Sequence, residues 1–320
     1  MNIGKIPENV YKRSVLKQLK SRNLSAGTVG DCAILKSGDG YQAAASVSCM
    51  PNSEDYILRA VYTAVNKVAA AGGRDMTLLF TLMLPEDAEE DDLKEIASLA
   101  AEAAADARAS VGGFETRISP AALRPVMTVT AIGGSAETVK TEKPVDRDLV
   151  VTKWIALAGT QAIAHEKEEE LKEHFPQHLI SDAQEFGRLL SILPEAATAL
   201  KSGASAMYCV SEGGILAALW ELADSLGVGL TVDIKEIPIR QESVEICEVY
   251  DINPYALDGC GSLLIVTGDG PALVDRLAEE GIPAVCIGTT NGSNDRVLMN
   301  DGERRFLDRP GSDELFKVLK

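Results

Sequence analysis

The chain contains no run of about 18 consecutive apolar residues, so no segment is expected to cross a membrane as a helix. Its opening residues, MNIGKIPENVYKRSVLKQLK, lack an apolar core followed by a small-residue cleavage site. They do not read as a signal peptide, and the cytoplasm is the expected compartment. Six cysteines are scattered at Cys32, Cys49, Cys209, Cys247, Cys260 and Cys286 without a CxxC pair, which removes zinc-finger and thioredoxin-type motifs. Reduced thiols are expected at these positions. There is no GxxxxGK[ST] phosphate loop, no short-period repeat and no low-complexity tract. Positive charge is also scarce: 31 Lys and Arg against 48 Asp and Glu give a net charge of -17. That balance argues against nucleic-acid binding through a broad basic surface. Local capture of a phosphate by a helix N-terminus, one or two lysines or a metal ion stays open.

What is present is ordinary globular material. At 320 residues with 46% hydrophobic content, the chain can build two cored domains of roughly 150 residues each. The polar stretch over residues 135–150 reads as their connection, giving domains over 1–145 and 146–320. A basic helix is expected from about Glu8 to Lys20, then strands near 32–36 and 41–48. The apolar spacing of 56–71 predicts a helix that stops at Gly72-Gly73. Residues 76–84 read as a buried strand, and 91–110 as an alanine-rich helix whose opening acids suit the helix dipole. Strands near 115–118 and 125–132 close the first half. The second half opens with a strand over 149–153, followed by a polar helical region over 160–200 interrupted near Pro176. Residues 205–267 read as strand, glycine turn, amphipathic helix, strand, short helix, strand. A helix over 271–280 and a strand over 284–287 follow. Strands alternating with helices in both halves predict α/β or α+β layers.

Several residues stand out chemically. Ser211-Glu212-Gly213-Gly214 places backbone N–H groups at a helix start, where an anion is stabilised. His174 and His178 are four apart, but Pro176 between them spoils a helical metal pair. With His165, they read as part of a solvated acidic helix face. Lys67 sits in an apolar helix and could simply snorkel. Trp154 and Trp220 read as packing residues, and Gly259-Cys260-Gly261 as a turn before a strand.

Order and spacing of short motifs carry a resemblance. They are Gly30-Asp31-Cys32-Ala33-Ile34-Leu35, Ala64-Val65-Asn66-Lys67-Val68 with Gly72-Gly73, Gly112-Gly113, Thr152-Lys153 with Gly159-Thr160, and Met207-Tyr208-Cys209-Val210-Ser211-Glu212-Gly213-Gly214. Further matches lie at Glu236-Ile237-Pro238-Ile239, Cys247-Glu248, Ile252-Asn253-Pro254 and Gly261-Ser262-Leu263-Leu264. Over nearly its whole length the chain resembles the aminoimidazole ribonucleotide synthetase superfamily. The likeness is strongest to the hydrogenase-maturation carbamoyl dehydratase branch and the synthetase-related proteins around it. Selenophosphate synthetase and thiamine-monophosphate kinase are similar too. The resemblance implies a ferredoxin-like N-terminal domain with dimer-forming strands, a C-terminal α/β domain, and a homodimer. It also implies ATP held by glycine turns and Mg²⁺, and ATP-dependent activation of an amide- or carbonyl-type oxygen.

The pattern departs from the family where the chemistry sits. Asp31 survives from an acidic pair whose second member is Cys32. Cys49 stands near an expected aspartate, Lys67 replaces another, and Cys209 replaces a third. The resemblance implies an acid after the Gly112-Gly113 pair, and Glu115 stands there. The hydrogenase-maturation enzymes end in a cargo-carrying cysteine, whereas this chain reads Leu315 to Lys320, so carbamoyl dehydration on its own tail is not expected.

Three readings follow. In the first, catalysis uses Asp31, Lys67 and Glu115, and nucleotide is held by Asn66, Gly112, Gly113, Lys153, Gly159, Thr160, Ser211, Gly213 and Gly214. In the second, the fold is a nucleotide or metabolite binding module or scaffold that has lost its magnesium aspartates. In the third, Asp31, Cys32, Cys49 and Cys209 gather a soft metal such as Zn²⁺, an iron–sulfur centre, or a redox thiolate. Against the third stands the plain alternative that each cysteine is a small apolar filler.

Overall fold

The computed structural model describes every residue except 1–2, 7, 21–26, 30–31, 39, 52, 136–142 and 320. The chain divides into two compact units, residues 31–138 and residues 1–30 with 139–320. The first thirty residues group with the later unit.

In the 31–138 unit the strands are β2 (Cys32–Ser37), β3 (Gly40–Cys49), β4 (Arg74–Leu84), β5 (Ser110–Ile118) and β6 (Val126–Ser135). A short strand β1 (Gly27–Val29) precedes them. Their order is β2-β3-β6-β4-β5, antiparallel except for the parallel β4–β5 pair. Helices α1 (Glu54–Ala70) and α2 (Glu90–Asp106) complete the unit. Strand β4 alternates: Met76, Leu78, Phe80, Leu82 and Leu84 are buried, while Leu79 and Met83 are exposed. That period of two is what a sheet covered on one face requires. The acids that open α2 do more than face the dipole, since the Glu89 N–H donates to Asp92 Oδ2 at 2.8 Å.

The other unit is built on a sheet in the order β13-β12-β9-β11-β7-β10-β8. Its strands are β7 (Asp148–Thr152), β8 (Ala206–Cys209), β9 (Gly229–Asp233), β10 (Leu263–Thr267), β11 (Ala284–Asn291), β12 (Arg296–Asn300) and β13 (Glu303–Phe306). Every residue of β10 is buried between β7 and β8, hence its unbroken LLIVT run. The principal helices are α3 (Leu157–Glu166), α4 (Gln177–Gln184), α5 (Leu193–Lys201), α6 (Gly214–Leu226), α7 (Gln241–Val249) and α8 (Gly270–Glu279). Leu219, Leu222 and Ala223 of α6 pack against Leu149, Tyr208, Leu264 and Val266 of the sheet. A second core joins α3, α4 and α7 through Ile163, Ile180, Ile246 and Leu257.

Strands β12 and β13 were not foreseen, although their turn carries the signal. Asp301 (φ 49°) and Gly302 (φ 82°) form an Asp-Gly turn with both central residues left-handed. Among the described residues, no helix is long and apolar enough to cross a membrane.

Candidate functional site

The turn at the start of α6 is where sequence and geometry meet. Strand β8 ends at Cys209, and the chain reverses through Ser211 to Gly214. Gly213 (φ +85°) and Gly214 (φ +65°) both adopt the left-handed region, which favours glycine. The Gly214 N–H donates to Ser211 O at 2.9 Å, closing the turn. A Cβ on Gly214 would lie 2.6 Å from Tyr255 O and 2.7 Å from Leu257 O, so the 254–258 backbone runs directly over it. Leu257 in turn fills the space beside Gly159 on α3. Thus Gly159, Ser211, Gly213 and Gly214 meet around one loop.

The donor exposed by this turn is not idle. The Gly213 N–H donates to Asp313 Oδ2 at 2.5 Å, and the Leu315 N–H donates to Asp313 Oδ1 at 2.8 Å. Asp313 is buried, and burial, with the nearby Asp258 charge and to a lesser degree Glu212, raises its carboxyl to about 7 against the two N–H bonds that lower it. Sequence reasoning missed Asp313 because nothing local links it to a glycine 100 residues away.

Thr160 and Lys153 are committed elsewhere. Thr160 is buried and its hydroxyl donates to Ser243 Oγ at 2.9 Å. Lys153 is buried, and its Nζ lies 2.8 Å from Leu189 O, 2.5 Å from Ser191 O and 2.6 Å from Glu195 Oε1. An ammonium has three donors, so this arrangement occupies all of them. The role of neutralising phosphate therefore does not fit Lys153 as placed.

In the 31–138 unit, Asp31 lies outside the described residues. Asn66 is fully buried on α1 and Lys67 is half-buried beside it. Gly112 and Gly113 do not form a turn. They lie within β5, where the register with β4 slips between Leu78 and Leu79, so Gly112 is the extra residue of a bulge. Glu115 pairs in register with Thr81, and Thr81 with Thr128, on the face opposite the buried Phe80–Val129 row. Glu115 is exposed, 3.8 Å from Arg117 Nη2, whereas α1 covers the other face of the sheet. Glu115 and Lys67 are therefore not brought together within the unit.

Cys32 and Cys49 do not meet as the expected centre requires. Ala33 pairs with Ala44, so Cys32 lies beside Ala45, and Cys49 is four residues further along β3. At about 3.3 Å per residue that is roughly 13 Å, too far for two sulfurs on one ion. Burial pushes the Cys49 thiol up to about 12 despite the opposing Arg59 charge, which disfavours the thiolate that a metal needs. Cys209 is buried in the other unit with its Sγ 3.3 Å from Val210 O. No group of three or more His, Cys, Asp or Glu among the described residues is placed to hold a metal ion. The histidines are dispersed: α4 begins after Pro176, and His165 Nε2 lies 3.4 Å from Gln184 O. The tryptophans pack under guanidinium groups, Arg240 over Trp154 at 4.9 Å and Arg296 over Trp220 at 4.0 Å.

Comparison with known proteins matches both units. Residues 29–134 match the N-terminal domain of AIR synthase related proteins, and residues 147–299 match the C-terminal domain. A putative hydrogenase expression/formation protein of Methanocaldococcus jannaschii is 22% identical over 334 residues, covering 98% of this chain and 97% of that protein. The structure is similar to AaThiL complexed with AMPPCP and TMP, with TM-score 0.74 and 19% identity, covering 98% and 99% of the two chains. It is also similar to hydrogenase maturation protein HypE in complex with ATP, with TM-score 0.66 and 17% identity, covering 98% of each chain. Two sheets of this topology, a glycine turn at the start of α6 and family matches across both units have one reading: the chain belongs to the AIR synthase related family.

Proposed function

We propose that this protein binds a nucleotide, ATP above others, and does so without the aspartate-based magnesium centre that its resemblance implied. One observation carries the reading: the Gly213 N–H already holds a carboxylate oxygen at 2.5 Å. A backbone N–H at a helix start that donates to a carboxyl oxygen suits a phosphate oxygen by the same physics once that carboxyl moves aside. Two structures with this fold contain ATP or AMPPCP by their own descriptions, which supports the choice of ligand. Activation of an amide- or carbonyl-type oxygen would be the chemistry if catalysis accompanies binding. The thiolate reading is disfavoured by the separation of Cys32 from Cys49 and by the raised Cys49 thiol.

A homodimer is part of the proposal. The uncovered face of the β2-β3-β6-β4-β5 sheet carries exposed Leu79, Met83 and Val126. Between them lie hydroxyl pairs, Ser46 with Thr130 at 2.8 Å and Ser48 with Thr128 at 2.9 Å. A second copy meeting that face would bury the apolar residues and is supported by the resemblance.

Ligand-dependent thermal unfolding tests the nucleotide reading. ATP, ADP and AMPPCP, each with and without Mg²⁺, are added in excess over a range of concentrations. Binding raises Tm with concentration by linkage. No shift with any nucleotide overturns the proposal.

A further inference from the structure

The first twenty residues are the most basic stretch of an acidic chain. Lys5, Lys12, Arg13, Lys17 and Lys20 stand against Glu8 alone, where the whole protein carries -17. Lys5 and Lys12 of this stretch contact α6 and the turn before it. The Lys5 N–H donates to Glu212 Oε1 at 2.6 Å, and its Nζ reaches both Glu221 oxygens at 2.8 and 2.9 Å. Glu221 also accepts from the Tyr208 hydroxyl at 2.5 Å, which fixes it in place. Lys12 pairs with Asp224, which takes Arg296 Nη2 on its other oxygen at 3.2 Å. Glu221 and Asp224 are three apart and share one face of α6.

The same segment is tied to the residue that holds the glycine turn. Ile3 O accepts from the Ser312 hydroxyl at 2.8 Å, and Asp313 follows directly. Gly4 (φ +98°) passes so closely that a Cβ would sit 2.5 Å from Glu212 Oε1 and 2.8 Å from Phe316 Cε2. Beneath the crossing lies a cavity of about 140 Å³ lined by Lys5, Lys12, Gly213, Trp220, Arg309 and Asp313, among others.

What holds the segment down is charge, not burial. Among the described residues of the segment Ile3 is 70% exposed, Ile6 42% and Val10 half-buried, so none is fully buried. The side chains of Lys5 and Lys12 are themselves 40% and 50% exposed, leaving both ion pairs open to screening by salt.

We propose that residues 3–6 and 10–12 belong to a detachable strap, latched by Lys5 and Lys12 to the acidic face of α6, which closes the cavity over Gly213. The strap must lift, taking the Ser312–Asp313 contact with it, before an anionic ligand reaches the Gly213 N–H. That last step rests on the nucleotide-binding reading; the latch itself does not.

Hydrogen exchange and limited trypsin digestion of the full chain, at low and at high NaCl, test the latch directly. High salt should speed exchange over residues 3–6, 10–12 and 213–218 roughly three- to tenfold, with β10 unchanged. The charge-reversed Lys5→Glu/Lys12→Glu protein should show the fast pattern even at low salt. Restoring the pair in Lys5→Glu/Glu221→Lys should slow exchange again. Identical exchange at both salt concentrations in the unaltered protein overturns the strap, whatever the variants do. Titrating ATP into the unaltered and charge-reversed proteins separates the two proposals. Tighter binding to the charge-reversed protein supports gating, and equal binding to both overturns gating. A latch that opens with salt while neither protein binds ATP upholds the strap and removes the nucleotide reading.

Discussion

Lys153 Nζ and Glu195 Oε1 form an ion pair 2.6 Å apart whose side chains are only 8% and 2% exposed. The same ammonium donates to Leu189 O and Ser191 O, so it pins the 189–191 segment and the start of α5 to the end of β7. Among the described residues Glu195 Oε2 has no hydrogen-bond partner, so within them the carboxylate depends on Lys153. Removing either partner strands a buried charge. Glu195→Ala should lower stability by about 3–5 kcal/mol in urea unfolding. The double change Lys153→Met/Glu195→Leu should recover most of that loss, because it leaves no uncompensated charge. A double variant as unstable as the single one would refute this account.

Asp313 predicts a pH dependence. Its carboxyl ordinarily titrates near 3.8 but is raised to about 7 in the folded protein, by burial first and by Asp258 second. Between those values the native state keeps a proton that the unfolded chain has lost. Stability from this group is therefore full below about pH 4 and declines as pH rises through about 7, by up to about 1.4 kcal/mol per unit. Asp313→Asn, neutral throughout, should flatten that part of the profile. Parallel profiles of the two proteins, measured by urea unfolding between about pH 4 and 8, would sink the assignment.

Gly214 tests the turn. A methyl there meets the backbone of Tyr255 and Leu257, which cannot swing aside as a side chain can, and φ is +65°. Gly214→Ala should cost roughly 2 kcal/mol or more, seen as a lower urea midpoint. A midpoint within about 0.3 kcal/mol of the parent would show that the loop yields freely.

Cys49 should be chemically quiet. With its thiol raised to about 12, the reactive thiolate is scarce at neutral pH. Alkylation by iodoacetamide at about pH 8, followed by peptide mass mapping, should run roughly a hundredfold or more slower than in urea-unfolded chain. Equal rates would reopen a thiolate role for this residue.

Much of the fold was legible locally. The alternating burial of β4, the unbroken apolar run of β10 and the acids opening α2 are periodic signals written in adjacent residues. Even the unforeseen β12–β13 hairpin had its Asp301-Gly302 turn on the page. The site was legible only in part. Gly213 and Gly214 stood out because left-handed backbone requires glycine, a demand that each residue meets alone. The environments of Lys153 and Gly112 were not legible, since a lysine looks the same facing phosphate or Glu195, and a glycine pair looks the same in a turn or a strand bulge.

The amino-acid sequence by itself determined the alternation of strands and helices, the family, and the glycine turn, because backbone propensity and apolar period act over a few residues. Tertiary structure alone decided which charges meet. It set Asp313 on the Gly213 N–H, turned Lys153 inward to Glu195, kept Cys32 away from Cys49, and laid Lys5 and Lys12 on α6. Electrostatic partners are chosen by proximity after the chain has folded, and proximity between residues 100 or 200 apart leaves no local trace in sequence.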